Sequence, residues 1–273
     1  MVLKGKIKKK KSNLLRIAAL NIFKGGEGKL SYISKVINEI DADILGILEA
    51  VGWQNNVRYY QKFAADLGYK FFNLKIANSV YNIAVFSKFP ITATAIKKNF
   101  KHIVVDVKIK NNFLRSLHIF FVHLSPTSEN ARLLETGELL KYIKSSHSVV
   151  IGDLNSLSSH DPYDRRKLLQ IFKKNKISKY GKGKLRFDVI KKIESSGFTD
   201  AAIHLKYPFV ASIPTSSNTD KSHAAKIRID YAFVTKNILQ HLNKIEILRN
   251  NIADKASDHY PLSIELQKQR RGS

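Results

Sequence analysis

Five short segments, far apart in the chain, carry side chains of the kind that handle phosphate and divalent metals. They are Ala19-Leu20-Asn21, Leu48-Glu49, Gly152-Asp153-Leu154-Asn155-Ser156, Arg228-Ile229-Asp230-Tyr231 and Ser257-Asp258-His259. Glu49, His123 and Asp153 each stand at or just past the C-terminal end of an apolar run, at 44–48, 119–122 and 149–151. Strand ends feed loops, and loops held on a rigid scaffold carry function. Carboxylates converging from several strand ends suit Mg²⁺, a hard cation that prefers oxygen, with Mn²⁺ as a substitute.

Each segment also has a plainer explanation. Asp153 and Asn155, two apart on an extended stretch, point to one side. One could position or deprotonate a water while the amide donates to a phosphoryl oxygen; an Asx turn is the alternative. Arg228 and Asp230 share a face opposite Ile227, Ile229, Tyr231 and Phe233, and a surface ion pair would account for them equally. Adjacent Asp258 and His259 reach one site only from a loop. A lone histidine after an apolar strand, such as His123, is more often structural.

Elements that could position these residues are legible in the apolar spacing. Strands are expected at 14–20, 44–48, 83–86, 91–96, 102–109, 114–123, 149–151, 227–235, 245–248 and 262–266. Asn111-Asn112 is a plausible turn between two of them. Leu30, Ile33, Ile37 and Ile40 repeat at helical spacing, as do Val57, Tyr60, Ala64 and Leu67 before Gly68. A helix from Ser128 would carry Leu133, Leu134, Leu140 and Ile143 inward, and another is expected at 188–195. Lys182–Lys184, between glycines, reads as a mobile basic loop. The pattern is a mixed α/β (α+β) domain with antiparallel hairpins, covering 13–267. Residues 1–12 form a basic arm, with a disordered tail at 268–273.

The 273 residues include 44% hydrophobic side chains, ample for a core. With 47 Lys+Arg against 22 Asp+Glu, the formal charge is +25. Such a field favours polyanions, although a coding sequence rich in AT would also raise the lysine content. Cysteine is absent, which removes disulfides, thiol catalysis and Cys-ligated zinc. No apolar run approaches the roughly 18 residues of a membrane span. Arg16 interrupts the apolar stretch that follows the basic start, arguing against a signal peptide. A cytoplasmic location is expected, with secretion and nuclear import left open.

Taken in order, the five segments resemble the endonuclease/exonuclease/phosphatase superfamily of metal-dependent phosphodiesterases, from about Leu14 to Leu266. The resemblance implies a two-sheet β-sandwich flanked by helices, DNase I-like, with its site at one end. It implies a metal shell of Glu49, Asn21 and Asp258, and catalytic roles for Asp153, Asn155, His123, His259 and Asp230. Asp230 would hold the imidazole of His259, and His123 would contact phosphate. Either Asp153 or His259 would activate the water. Leu48 stands where many members have Gln. Asn82, Arg132 and Arg228 are candidate substrate contacts, Arg132 being equally an exposed helix residue.

The chemistry implied is in-line attack of water on phosphorus. A nuclease is the first substrate reading, so nucleic acid is the expected partner. Hydrolysis of an anionic lipid or a small phosphoester is the second, with Phe71-Phe72 or Tyr207-Pro208-Phe209-Val210 as membrane contacts. A non-catalytic scaffold is the third. Two subfamilies lack support. The Trp-rich segment of abasic-site endonucleases is replaced by Pro214-Thr215-Ser216-Ser217-Asn218. The Trp-Cys pair of inositol-polyphosphate phosphatases is replaced by Ala225-Lys226-Ile227. No obligate protein partner is implied, and a monomer is expected.

Overall fold

The computed structural model describes residues 13–109, 114 and 116–269. The basic arm, the end of the tail and the Asn111-Asn112 turn lie outside them. In chain order the first half runs β1 (Leu14–Asn21), α1 (Leu30–Ile40), β2 (Ile44–Leu48), α2 (Val57–Asp66), β3 (Phe71–Lys75), β4 (Ile83–Ser87), β5 (Thr92–Ile96), β6 (Val104–Ile109) and β7 (Leu117–His123). The second half runs α3 (Glu129–Tyr142), β8 (Ser148–Asp153), α4 (Arg165–Lys174), α5 (Asp188–Ser195), β9 (Phe198–Asp200), β10 (Asp230–Thr235), β11 (Leu242–Ile247) and β12 (Leu262–Gln267).

The strands form two six-stranded sheets, ordered β11-β12-β1-β2-β4-β3 and β5-β6-β7-β8-β10-β9. Each sheet has one parallel pair at its centre, β1 with β2 and β7 with β8, and antiparallel neighbours outside it. A parallel pair needs a crossover, supplied by α1 and by α3. The α/β sandwich implied by the resemblance is the observed architecture.

The central strands are buried on both faces, which explains their near-continuous apolar runs. In β7, Ile119 and Phe121 enter the core between the sheets, while Phe120 and Val122 pack under α3 and α5. Gly46 of β2 makes the close packing possible, since a Cβ there would lie 2.2 Å from the Phe121 ring. Helix α1 buries Ile33, Val36, Ile37 and Ile40, each contributing about 1.5–3 kcal/mol. It ends at Asp41, whose left-handed backbone returns an N–H to Ile37.

Several elements differ from expectation. Strands β3 and β9, which carry no strong apolar period, and helix α4, which buries Leu168 and Phe172 four residues apart, are absent from the expected set. Phe71 and Phe72 pair with Ser87 and Phe86 in β3 and are half-buried, so they form no membrane-facing loop. In α3 and its C-cap, Leu133, Leu140 and Ile143 pack inward as expected, but Leu134 is 76% exposed, and the buried side also carries Glu129, Arg132, Glu135 and Thr136 beside Leu139. Strand β10 starts at Asp230, and Ile227 instead makes an isolated bridge to Ile213. Among the described residues no helix is long and apolar enough to cross a membrane.

Candidate active site at the ends of the parallel strands

All four parallel strands deliver a polar residue to one end of the sandwich. Asn21 ends β1, Glu49 follows β2, His123 ends β7 and Asp153 ends β8. The C-terminal ends of parallel strands are the usual place for a ligand. Register brings further groups there, because Asp153 lies opposite His123 on one side and opposite Asp230 on the other. Glu49 and Asn155 adopt left-handed backbone, φ 60° and 49°, which is sparsely populated for non-glycine residues and concentrates at functional sites.

Glu49, His123, Asp153, Asn155, Asp258 and His259 line one pocket of about 460 Å³. Asn21 lies beneath it, donating to Glu49 Oε1 at 3.1 Å and to Asp153 Oδ2 at 3.4 Å. Asp153 also accepts the Asn155 backbone N–H at 2.7 Å and the Asn155 amide at 3.2 Å. The second amide proton of Asn155 goes to the Leu124 carbonyl at 3.1 Å. Flipping the amide would set oxygen against oxygen at both partners, so the network fixes its orientation. Both protons are therefore engaged, and the expected donation from this amide to a phosphoryl oxygen is not available in this arrangement.

Asp230 Oδ2 lies 2.9 Å from His259 Nδ1. Burial alone would lower the His259 pKa, but the Asp230 and Asp258 carboxylates outweigh it and raise it to about 10. His259 is thus an imidazolium, with Nε2 turned toward Asp153 Oδ2 at 3.9 Å. Burial, with Asp230 nearby, pushes the Asp153 carboxyl above the ordinary range, and the His259 cation opposes this. His123 is driven the other way, to about 3, by burial and by the His259 charge. It is a neutral imidazole, stacked on His102 with ring centroids 4.8 Å apart.

The described residues hold one compact His/Asp group, His223, Asp258 and His259, close enough to share an ion. Within this group His259 Nδ1 is taken by Asp230, while its ring meets that of His223 edge-on, centroids 5.1 Å apart. His223 Nδ1 meets Asp258 Oδ2 at 3.2 Å. Glu49 is the better metal donor. Its carboxyl is raised by burial. Its partners are the Asn21 amide and, at 3.0 Å, the Lys24 backbone N–H. A buried carboxylate that has no cationic side chain bonded to it fits a divalent ion.

Three expected substrate contacts are not in the pocket. Asn82 is buried, donating to the Ala50 carbonyl and Gln54 and accepting from Ala77. Arg132 is 0% exposed. Its guanidinium is consumed by Ser156, Glu129 and the Ser125 and Lys179 carbonyls. Arg228 is clamped by Asp161 and Asp200 over the Tyr231 ring and opens on a different concavity. These two arginines organise the surrounding loops.

Among the pocket residues that the sequence pattern does not mark are His223 and Lys179, the latter buried, with Nζ 3.2 Å from Asn155 Oδ1 and 3.2 Å from Ser222 Oγ.

The sequence model of the Endonuclease/Exonuclease/phosphatase family matches residues 18–259. The chain belongs to this family. Its members are phosphoric-ester hydrolases and generally use divalent metals. Solved endonuclease/exonuclease/phosphatase structures share the fold. A 3′ phosphatase from Neisseria, NExo, bound to a product DNA hairpin, superposes with TM-score 0.70 at 14% identity, covering 93% of this chain and 99% of that one. An AP endonuclease from Archaeoglobus fulgidus gives 0.66 at 16% identity, covering 92% and 98%. A mannosyl-6-phosphatase from Bacteroides thetaiotaomicron gives 0.61 at 13% identity, covering 92% and 99%. No curated protein matches the sequence.

Proposed function

We propose that the protein is a Mg²⁺-dependent phosphodiesterase that cleaves nucleic acid by direct attack of water on phosphorus. The observation that carries this reading is the opposed pair in the pocket: a buried Asp153 carboxylate facing a His259 imidazolium, 3.9 Å apart. Asp153, held by both nitrogens of Asn155 and by Asn21, takes the proton of the attacking water. A carboxyl raised toward neutrality is suited to that transfer. His259, kept protonated and aimed by Asp230, donates to a phosphoryl oxygen as charge accumulates there. Lys179 uses two of its three protons on Asn155 and Ser222 and can give the third to the substrate.

Glu49, with Asn21 beneath and Asp258 across the pocket, would hold the metal; a bound divalent ion supplies positive charge against the phosphoryl and leaving oxygens. The +25 charge supports a polyanionic substrate. The candidate membrane segments do not line this pocket, since Phe209 lies on the concavity beside Arg228.

The test is a substrate panel with and without EDTA: supercoiled plasmid, single- and double-stranded oligonucleotides, sphingomyelin vesicles and p-nitrophenyl phosphate. Metal-dependent scission of the nucleic acids is expected. Turnover confined to vesicles or to the small monoester would overturn the nuclease reading and leave the hydrolase assignment standing.

A further inference from the structure

The positive charge is not spread evenly. Residues 165–192 hold twelve of the 47 Lys+Arg against one acid, Asp188. A compositional bias would raise lysine throughout, yet α1 carries only one Lys, offset by one Glu. Nine of the twelve cations are exposed. Among the described residues, the ion pair these cations make is Arg186 with Asp188. Solvation alone does not require such a concentration, and like charges this dense repel unless a polyanion meets them.

The segment is also built into the catalytic pocket. Helix α4 buries Leu168 and Phe172 and leaves its basic face outward. Tyr180 is fully buried against Phe172, ring centroids 5.0 Å apart. The residue before it is Lys179, in the pocket wall. Beyond Tyr180 the chain makes a closed loop, sealed by the Arg186 N–H to the Tyr180 carbonyl at 2.9 Å. Gly181 permits it, with φ +120°, where a Cβ would lie 2.0 Å from the Lys184 carbonyl. The loop expected to be mobile is therefore anchored at both ends. It projects Lys182 and Lys184 only a few residues from the pocket. Lys184 and Lys191 then share a surface concavity of about 470 Å³.

We propose that residues 165–192 form a phosphate-tracking arm, which grips the backbone of a nucleic acid whose scissile ester occupies the pocket beside Lys179. This rests on the nucleic-acid reading above. Apart from Lys179, the cations of the arm meet phosphates remote from the reacting one, so they act on substrate capture and leave the chemical step alone.

The experiment compares the native protein with the triple variant Lys182→Gln, Lys184→Gln, Lys191→Gln. Binding of a fluorescent DNA duplex is measured against salt in EDTA, and steady-state cleavage of the same duplex in Mg²⁺. Each phosphate that is no longer neutralised should lower the slope of log K against log salt by about 0.9. The triple variant should show a slope reduced by roughly two to three, a KM raised about tenfold and an unchanged kcat. Unchanged slope and KM in a variant that cleaves normally would overturn the arm and leave the nuclease reading intact. Native protein that neither binds nor cleaves the duplex would remove both. Loss of binding to anionic vesicles, with DNA binding retained, would reassign the surface to membranes and overturn the proposal.

Discussion

At the residue scale, neighbouring groups of the proposed site are set to opposite protonation states. Asp230 keeps His259 charged, burial keeps His123 neutral, and Asp153 sits between them. Asp230→Asn removes the charge that fixes the imidazolium and should lower kcat roughly 10²- to 10⁴-fold, while thermal melts stay near native. Loss of fold in that variant, or an undiminished kcat, would contradict the role. His102 allows a separate test on stability. Burial holds its pKa down, from an ordinary 6.5 to about 3. Below pH 6.5 the unfolded chain binds a proton that the folded chain refuses. Stability is therefore full above that pH and falls as pH drops toward 3, by about 1.4 kcal/mol per pH unit. Melting curves from pH 7 to 5 should show a shallower decline for His102→Gln. Equal slopes would mean that His102 titrates normally. Glu49, Asp153 and His259 are visible in the sequence because each follows an apolar run or sits in a compact polar motif. Lys179 and His223 are invisible there, since their partners lie 24 and 35 residues away and no periodicity marks them.

At the element scale, the legible features are those the core imposes. The eight-residue β1 and the amphipathic α1 and α5 show themselves through apolar spacing. Strand β9 has only three residues, and β3 is half-buried along its length, so neither produces a pattern. Helix α3 departs from its apolar pattern for a physical reason. Its buried side carries Glu129, Arg132 and Glu135, which hydrophobic spacing reads as solvent-facing. They are tolerated because Arg132 is fully partnered and Glu135 accepts the backbone N–H groups of Lys101 and Ser125. Arg132→Met should cost about 3–5 kcal/mol in urea melts by leaving Glu129 unpaired in the interior. Adding Glu129→Gln should recover part of the loss. A single variant as stable as native would show that the pair contributes nothing to docking α3.

At the scale of the whole molecule, each sheet contributes one parallel pair, and the two pairs end side by side. That arrangement, and not any one loop, brings Glu49, the proposed metal ligand, beside Asp153 and His259, the proposed proton-transfer pair. The two-sheet architecture follows from the sequence only through resemblance, because alternation within strands cannot say how sheets stack. The uneven charge is equally present in the sequence, but its meaning needs the packing that ties Tyr180 and Lys179 to the pocket wall. Metal-dependent hydrolysis of a phosphodiester in this pocket, with Asp153 as the base, is the central claim. The most direct measurement is the initial rate of cleavage of a fluorescent oligonucleotide, across a Mg²⁺ titration, by the native and Asp153→Asn proteins purified identically. A saturable Mg²⁺-dependent rate is expected in the native protein and a rate lower by roughly 10²- to 10⁴-fold in the variant, with the fold unchanged. Equal rates in the two proteins would contradict the claim.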